Sequence, residues 1–228
     1  MRHGIEGVAF DLDGTLYPNY RLNIRLVPFL LKEWRLVSAF GKTRGIIREE
    51  QEKSLPPQDS FYEYQAEIVA KHLNVPAEHM REIIEILIYK GWEPLFKKIK
   101  LFKKVKETLA ALREAGYKLG LLSDFPPEEK LEYLGISAVW DAVLCSENYN
   151  VLKPHSLPFI KLAEAMSLPP EKILYVGNSR SYDVTGAKRA GMKTAWIKSA
   201  FFPGSGLRKP KPDFSFSNYR QLQKYMLN

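Results

Sequence analysis

Asp11 and Asp13 stand two residues apart in DLDGTLY (11–17), directly after the apolar run IEGVAF. Three more polar clusters follow: Ser123-Asp124 after LGLL, Lys153 in VLKPH (151–155), and Asn178 with Asp183 in GNSRSYD (177–183), after ILYV. These residue types suit work on an anionic group. A carboxylate can approach an anion only where positive charge cancels the repulsion. A lysine, or a hard cation held by oxygen ligands, supplies that charge. A second carboxylate nearby can carry protons to and from the reacting atoms. Gly14 permits a sharp turn after the strand, where a side chain would obstruct an incoming anion. Each cluster also has a plainer reading: an Asx pair in a turn for Asp11 and Asp13, helix caps for Ser123 and Asp183, a solvated loop for Lys153.

These residues need a scaffold that brings them together, and the rest of the chain supplies one. IEGVAFD (5–11) is a short apolar run, the signature of a buried strand. YKLGLLS (117–123), DAVLC (141–145), KILYVG (172–177) and KTAWI (193–197) read the same way, with FSFSN (214–218) near the end. Helical patterns separate them at 104–116, about 127–134, 156–166 and 184–191, and YRQLQKYM (219–226) closes the chain. Strands alternating with helices imply an α/β fold whose doubly wound parallel sheet is covered on both faces. In such sheets the site lies at the carboxyl ends of the strands, where all four clusters fall. Between residue 22 and about 94 no strand is predicted. LVPFLLKEWRLVSAF (26–40) reads as a helix with Pro28 in its first turn, followed by FYEYQAEIVAKHL (61–73) and by AEHMREIIEILIYKG (77–91) with Gly91 as its cap. Pro56-Pro57 and Val75-Pro76 mark the turns between these helices.

In their order and spacing the four clusters resemble the four motifs of the haloacid dehalogenase superfamily, and the resemblance extends over essentially the whole chain. It implies a Rossmann-like core (1–17 and 101–228) with an inserted α-helical cap domain (18–100). It also implies a Mg²⁺-dependent phosphatase acting on a small-molecule phosphate monoester. By that resemblance Asp11 is the nucleophile that forms an aspartyl-phosphate, and Asp13 is the general acid/base. Ser123 and Lys153 hold the phosphoryl oxygens, Thr15 supports the loop, and Asp124 stands among the substrate contacts. Asp11, the Asp13 carbonyl, Asn178 and Asp183 hold Mg²⁺. Two positions depart from the family pattern. The fourth motif begins Gly177-Asn178 where Gly-Asp is usual, and Asp124 stands where an amide is common.

The same superfamily includes 2-haloacid dehalogenases and phosphomutases. Dehalogenases lack an acid at the position of Asp13, because their leaving halide needs no proton. A catalytically weak, basic binding protein on this fold is the alternative from another class. Arg21, Arg25, Arg44, Arg48, Tyr62 and Trp92 of the insertion are the candidate contacts to the leaving group.

The formal net charge of +8 is spread along the chain, with local density in KKIKLFKKVK (97–106) and RKPKP (208–212). That pattern fits solvated faces or a field that draws anionic substrates, and requires no nucleic acid. A single cysteine, Cys145, excludes an intramolecular disulfide and reads as a core residue. No apolar run matches a signal peptide or a membrane span, so a cytoplasmic location without a membrane partner is the expectation. His155 reads as a residue of a helix's first turn, and Ser179, Ser181 and Ser205 lack a serine-hydrolase elbow. Composition assigns no oligomeric state.

Overall fold

A computed structural model describes residues 2–53, 60–198 and 210–228. The Pro56-Pro57 turn, Ser205 and the first two residues of RKPKP lie outside them. Among the described residues, six parallel strands form one sheet in the order β3-β2-β1-β4-β5-β6. They are β1 (Gly7–Phe10), β2 (Lys118–Ser123), β3 (Ala142–Cys145), β4 (Ile173–Gly177), β5 (Lys193–Ile197) and β6 (Phe214–Phe216). The sequence-based strands agree with these to within about a residue at most ends.

Side chains alternate between the two faces, as the strand period of two requires. Val8, Phe10, Leu119, Leu121, Leu174 and Val176 enter one buried cluster. Ala9, Leu122, Ile173 and Tyr175 enter the other. On the first face pack α4 (Val105–Glu114), α5 (Glu128–Leu134) and α8 (Tyr219–Leu227). On the second pack α6 (Leu157–Ala165) and α7 (Thr185–Arg189). With both faces covered, these strands carry almost unbroken apolar runs. β1 lies between β2 and β4, so the strand order reverses beside it and opens a crevice at the carboxyl ends.

Between β1 and α4 the described residues form helices: α1 (Asn19–Gln51), α2 (Phe61–Leu73) and α3 (Met80–Ile84). Leu36, Phe40, Ala66, Val69, Met80, Ile84 and Ile88 give it a hydrophobic cluster of its own. Two sequence-based details are corrected. α1 starts at Asn19, not near 26, so Pro28 lies inside it, and the helical geometry breaks at Glu33 (φ −113°, ψ 29°). The helix continues past 40 because Thr43, Arg44 and Ile47 are buried, and such packing outweighs the low propensity of Gly41 and Gly45. Gly91 is not a left-handed cap: its φ is −64°, and a wider helical turn at Glu85–Lys90 leads into a tight one at Glu93–Lys98. Among the described residues, no helix is long and apolar enough to cross a membrane.

Candidate active site

Asp11 follows β1 and is held there by its own amide, which donates to the Val176 carbonyl at 2.9 Å. Its carboxylate is buried and takes a hydrogen bond from Thr15 Oγ1 at 2.6 Å and one from Lys153 Nζ at 2.6 Å. Lys153 is 3% exposed and also reaches Asp183 Oδ1 at 2.8 Å. One lysine thus bridges two buried carboxylates. Burial, and after it the Asp183 charge, lifts Asp11 to about 7 against the pull of Lys153. Burial alone would lower Lys153, but Asp11 and Asp183 hold it well above the ordinary lysine value. The solvated-loop reading of Lys153 is therefore wrong.

Asp13 sits at the same loop with a different environment. Its carboxylate accepts from the Tyr17 hydroxyl and from Lys130 Nζ at 3.0 Å, and it lines a cavity of about 770 Å³ beneath the helical segment. Gly14 adopts φ +88°, and a Cβ there would lie 2.0 Å from Asn178 Nδ2. Asn178 closes over this loop, donating from Nδ2 to the Asp13 carbonyl at 3.2 Å. Asp183 takes the Ser179 amide at 2.8 Å, and a Cβ on Gly177 would lie 2.4 Å from its carboxyl carbon. Ser179 caps the following helical turn by accepting from the Tyr182 amide. Asp183 does not cap that turn: one oxygen takes the Ser179 amide and the other takes Lys153.

Ser123 is fully buried at the end of β2 and accepts from the Phe125 amide at 3.1 Å. Asp124, expected among the substrate contacts, is instead committed to the scaffold. Its oxygens accept from Ser146 Oγ (2.6 Å), the Lys153 amide (3.0 Å) and Arg48 Nη2 (2.9 Å). Arg44 ion-pairs with the buried Glu147 and donates to the Asp124 carbonyl at 3.3 Å, while Arg48 Nε donates to the Lys153 carbonyl at 2.9 Å. Both arginines were candidates for leaving-group contacts, and both instead fasten α1 to the two loops that carry Ser123 and Lys153. Arg21 and Arg25 likewise donate to backbone carbonyls, of Lys100 and Arg21. Tyr62 and Trp92 do line the cavity. His155 lies just before α6 rather than in its first turn, since Ser156 is the N-cap, and it accepts from the Leu157 amide; Cys145 is buried at the end of β3, as expected.

Asp124 has a measurable consequence. Burial opposes its ionisation, but Lys153, Arg48 and Arg44 outweigh it and hold the carboxyl at about 2, against 3.8 ordinarily. A folded-state value below the unfolded one stabilises the fold in full above the unfolded value, and the gain fades as pH falls through the folded one. Asp124→Asn is therefore expected to cost about 2 kcal/mol at neutral pH. Urea unfolding of both proteins should show the gap closing between pH 4 and about 2. A gap constant over that range would contradict the assignment.

A family model described as haloacid dehalogenase-like hydrolase matches residues 5–191. The chain belongs to this family. It is 29% identical to a glyceraldehyde 3-phosphate phosphatase of Methanopyrus kandleri, over 96% of this chain and 95% of that one. It is 27% identical to a phosphoglycolate phosphatase of Salmonella paratyphi A, over 96% and 91% of the two chains. The fold is also that of an L-2-haloacid dehalogenase of Xanthobacter autotrophicus, at TM-score 0.69 and 18% identity over 97% and 98% of the chains. The Rossmann-like hydrolase core expected from the motifs is therefore the family's own, and the chain is an enzyme of that class.

The residues fit the Mg²⁺ that the family resemblance implies. Asp11 and Asp183 are both buried with only one lysine between them, an excess of negative charge that a cation would balance. The available donors are oxygens: two carboxylates, the Asp13 carbonyl and, once its amide is turned over, Asn178. Among the described residues no three His, Cys, Asp or Glu side chains cluster as a cage. Magnesium needs none, because it takes few protein carboxylates and keeps water ligands.

Lys130, Tyr17 and Glu147 escaped the sequence reading. Lys130 lies in EEKLEYL, where nothing separates it from a solvated helix lysine. Its burial between the Phe96 and Phe125 rings, each about 5.1 Å from Nζ, exists only in the folded chain.

Proposed function

We propose that this hydrolase is a Mg²⁺-dependent phosphatase of small phosphate monoesters. Asp11 is the nucleophile and Asp13 the general acid/base, and the helices of 18–100 act as a cap over the core formed by 1–17 and 101–228. The observation that carries the reading is Asp13: a second carboxylate on the nucleophile's loop that faces the cavity a leaving group would occupy. A displaced halide would have no use for it. The phosphatase names of the relatives support the same choice.

In this mechanism an Asp11 oxygen attacks phosphorus, the P–O bond to the leaving group breaks, and Asp13 gives its proton to the departing alkoxide. Asp13 then removes a proton from water as that water attacks the aspartyl-phosphate, releasing inorganic phosphate and restoring Asp11. Lys153 neutralises phosphoryl oxygen charge, helped by the Ser123 hydroxyl. Thr15 orients Asp11, Lys130 and Tyr17 hold Asp13 towards the cavity, and Asp124 positions Lys153 through its amide. Asp11, the Asp13 carbonyl, Asn178 and Asp183 would hold Mg²⁺, which supplies charge neutralisation for the incoming phosphate. Phosphate release from a simple alkyl ester, abolished by a chelator and restored by Mg²⁺, tests the reading. Halide release from a 2-haloacid with no phosphate release would replace it with a dehalogenase.

Asn178 gives this account a quantitative check. An amide in place of a carboxylate removes one charge beside a divalent cation, and unit charges about 4 Å apart interact by about 4 kcal/mol at an effective dielectric near 20. Asp183 recovers part of that. Asn178→Asp is expected to tighten Mg²⁺ half-saturation of activity by about tenfold, or about 1.4 kcal/mol. An unchanged titration would remove Asn178 from the metal site.

A further inference from the structure

The cavity beside Asp13 carries information about the leaving group that the four motifs lack. Leu26 of α1, Ile84 of α3 and Ile88 give it an aliphatic wall; Tyr89, Trp92 and Phe125 give it an aromatic one. The ring centroids of Tyr89 and Trp92 lie 5.9 and 6.4 Å from that of Phe125, so the aromatic wall is continuous. A volume of about 770 Å³ lies in the range of cavities that enclose a sizeable organic group.

The charges in the lining are as informative. Among the described residues its two cations both have partners: Lys130 is held by Asp13 in a largely buried pair, and Arg81 meets Glu63 in an exposed one. Glu85, paired with Lys90 at 3.4 Å, and Glu93 add carboxylates, so among the described residues the lining holds three acids against two bases, and counting the off-lining partners Glu63 and Lys90 leaves the same excess of one negative charge. Arg44 and Arg48 of α1, which lie outside the lining, are tied to Glu147 and Asp124. Among the described residues of this lining, a leaving group bearing its own carboxylate, as in phosphoglycolate, would meet no unpaired cation and would face net negative charge. An uncharged apolar group would displace water from a wall built for it.

We propose that the preferred substrates are phosphate monoesters of uncharged apolar alcohols, of a size that includes an aromatic ring. This rests on the phosphatase reading above, because it takes the ester oxygen to lie at Asp13. The cavity would then accept what the relatives' named substrates do not offer. Burying a phenyl group in such a wall is worth roughly 10- to 100-fold, and each methylene about fourfold.

The test compares kcat/KM for ethyl, butyl and 2-phenylethyl phosphate, whose leaving groups are all simple alcohols, with that for phosphoglycolate, at saturating Mg²⁺. The expected order rises from ethyl to phenylethyl by about tenfold or more, with phosphoglycolate below all three. Leu30→Glu, at a half-buried position of the lining, should lower the phenylethyl-to-ethyl ratio by about tenfold or more. Calorimetric binding of 2-phenylethylphosphonate and phosphonoacetate reads the same preference without turnover. Tighter binding of the phenylethyl compound with no hydrolysis of any ester would uphold the pocket and overturn the phosphatase reading. Phosphoglycolate as the best ester, or phosphonoacetate binding as tightly as the phenylethyl compound, would overturn the inference and leave the phosphatase reading intact.

Discussion

Asp11→Asn is expected to remove phosphate release, by roughly four orders of magnitude or more in kcat, as loss of a nucleophile does elsewhere. The amide keeps the shape of the carboxylate: its oxygen can accept from Lys153, and its NH2 can donate to the Thr15 hydroxyl, so the loop should stand. It cannot attack phosphorus. The protein also pays for the native carboxylate: burial and Asp183 lift its pKa to about 7. A neutral side chain relieves that cost, so thermal unfolding of the variant should occur at or above the wild-type temperature. Phosphate release and a melting curve on one preparation check both halves. Wild-type turnover by a folded Asp11→Asn protein would refute covalent catalysis at this residue.

Asp13→Ala is expected to slow alkyl esters by roughly 10²–10⁴-fold while sparing aryl esters with good leaving groups. The asymmetry follows from proton demand. An alkoxide needs a proton as the P–O bond breaks, whereas a nitrophenolate departs without one. Deleting the carboxylate also leaves Lys130, 8% exposed, without its partner at 3.0 Å. Asp13→Asn, which keeps an oxygen towards Lys130 and Tyr17, is the companion that separates packing from proton transfer. Steady-state rates for one alkyl and one nitrophenyl ester in each variant decide the point. Equal losses on both esters would make Asp13 a residue of the loop's shape only.

Much of the fold was legible because buried parallel strands announce themselves as continuous apolar runs, and KTAWI (193–197) coincides with β5 residue for residue. The site was legible for a related reason. Asp11, Ser123 and Asn178 each stand at or just past a strand end, so a local pattern locates them on a shared edge. What escaped depends on contacts remote in sequence. Lys130 meets Asp13 across 117 residues and Arg44 meets Glu147 across 103, and no periodicity encodes such pairs. Asp124 was misread because its position beside Ser123 suggested the substrate, while Ser146, Arg48 and the Lys153 amide surround its carboxylate. The start of α1 was misplaced because Pro28 is an acceptable first-turn residue, and only the packed structure shows the helix already under way at Asn19.

If the phosphoryl group passes through Asp11, a chemical trap will catch it there. Wild-type protein is mixed with an alkyl phosphate and Mg²⁺, quenched within the first turnover, reduced with borohydride and digested for mass spectrometry. Borohydride reduces an acyl-phosphate to an alcohol and leaves free carboxylates alone. Homoserine is expected at position 11 of the wild type, dependent on substrate, and at no other aspartate. Phosphate released with position 11 always recovered as aspartate, or the reduced residue found at Asp13 or Asp183, would contradict transfer through Asp11.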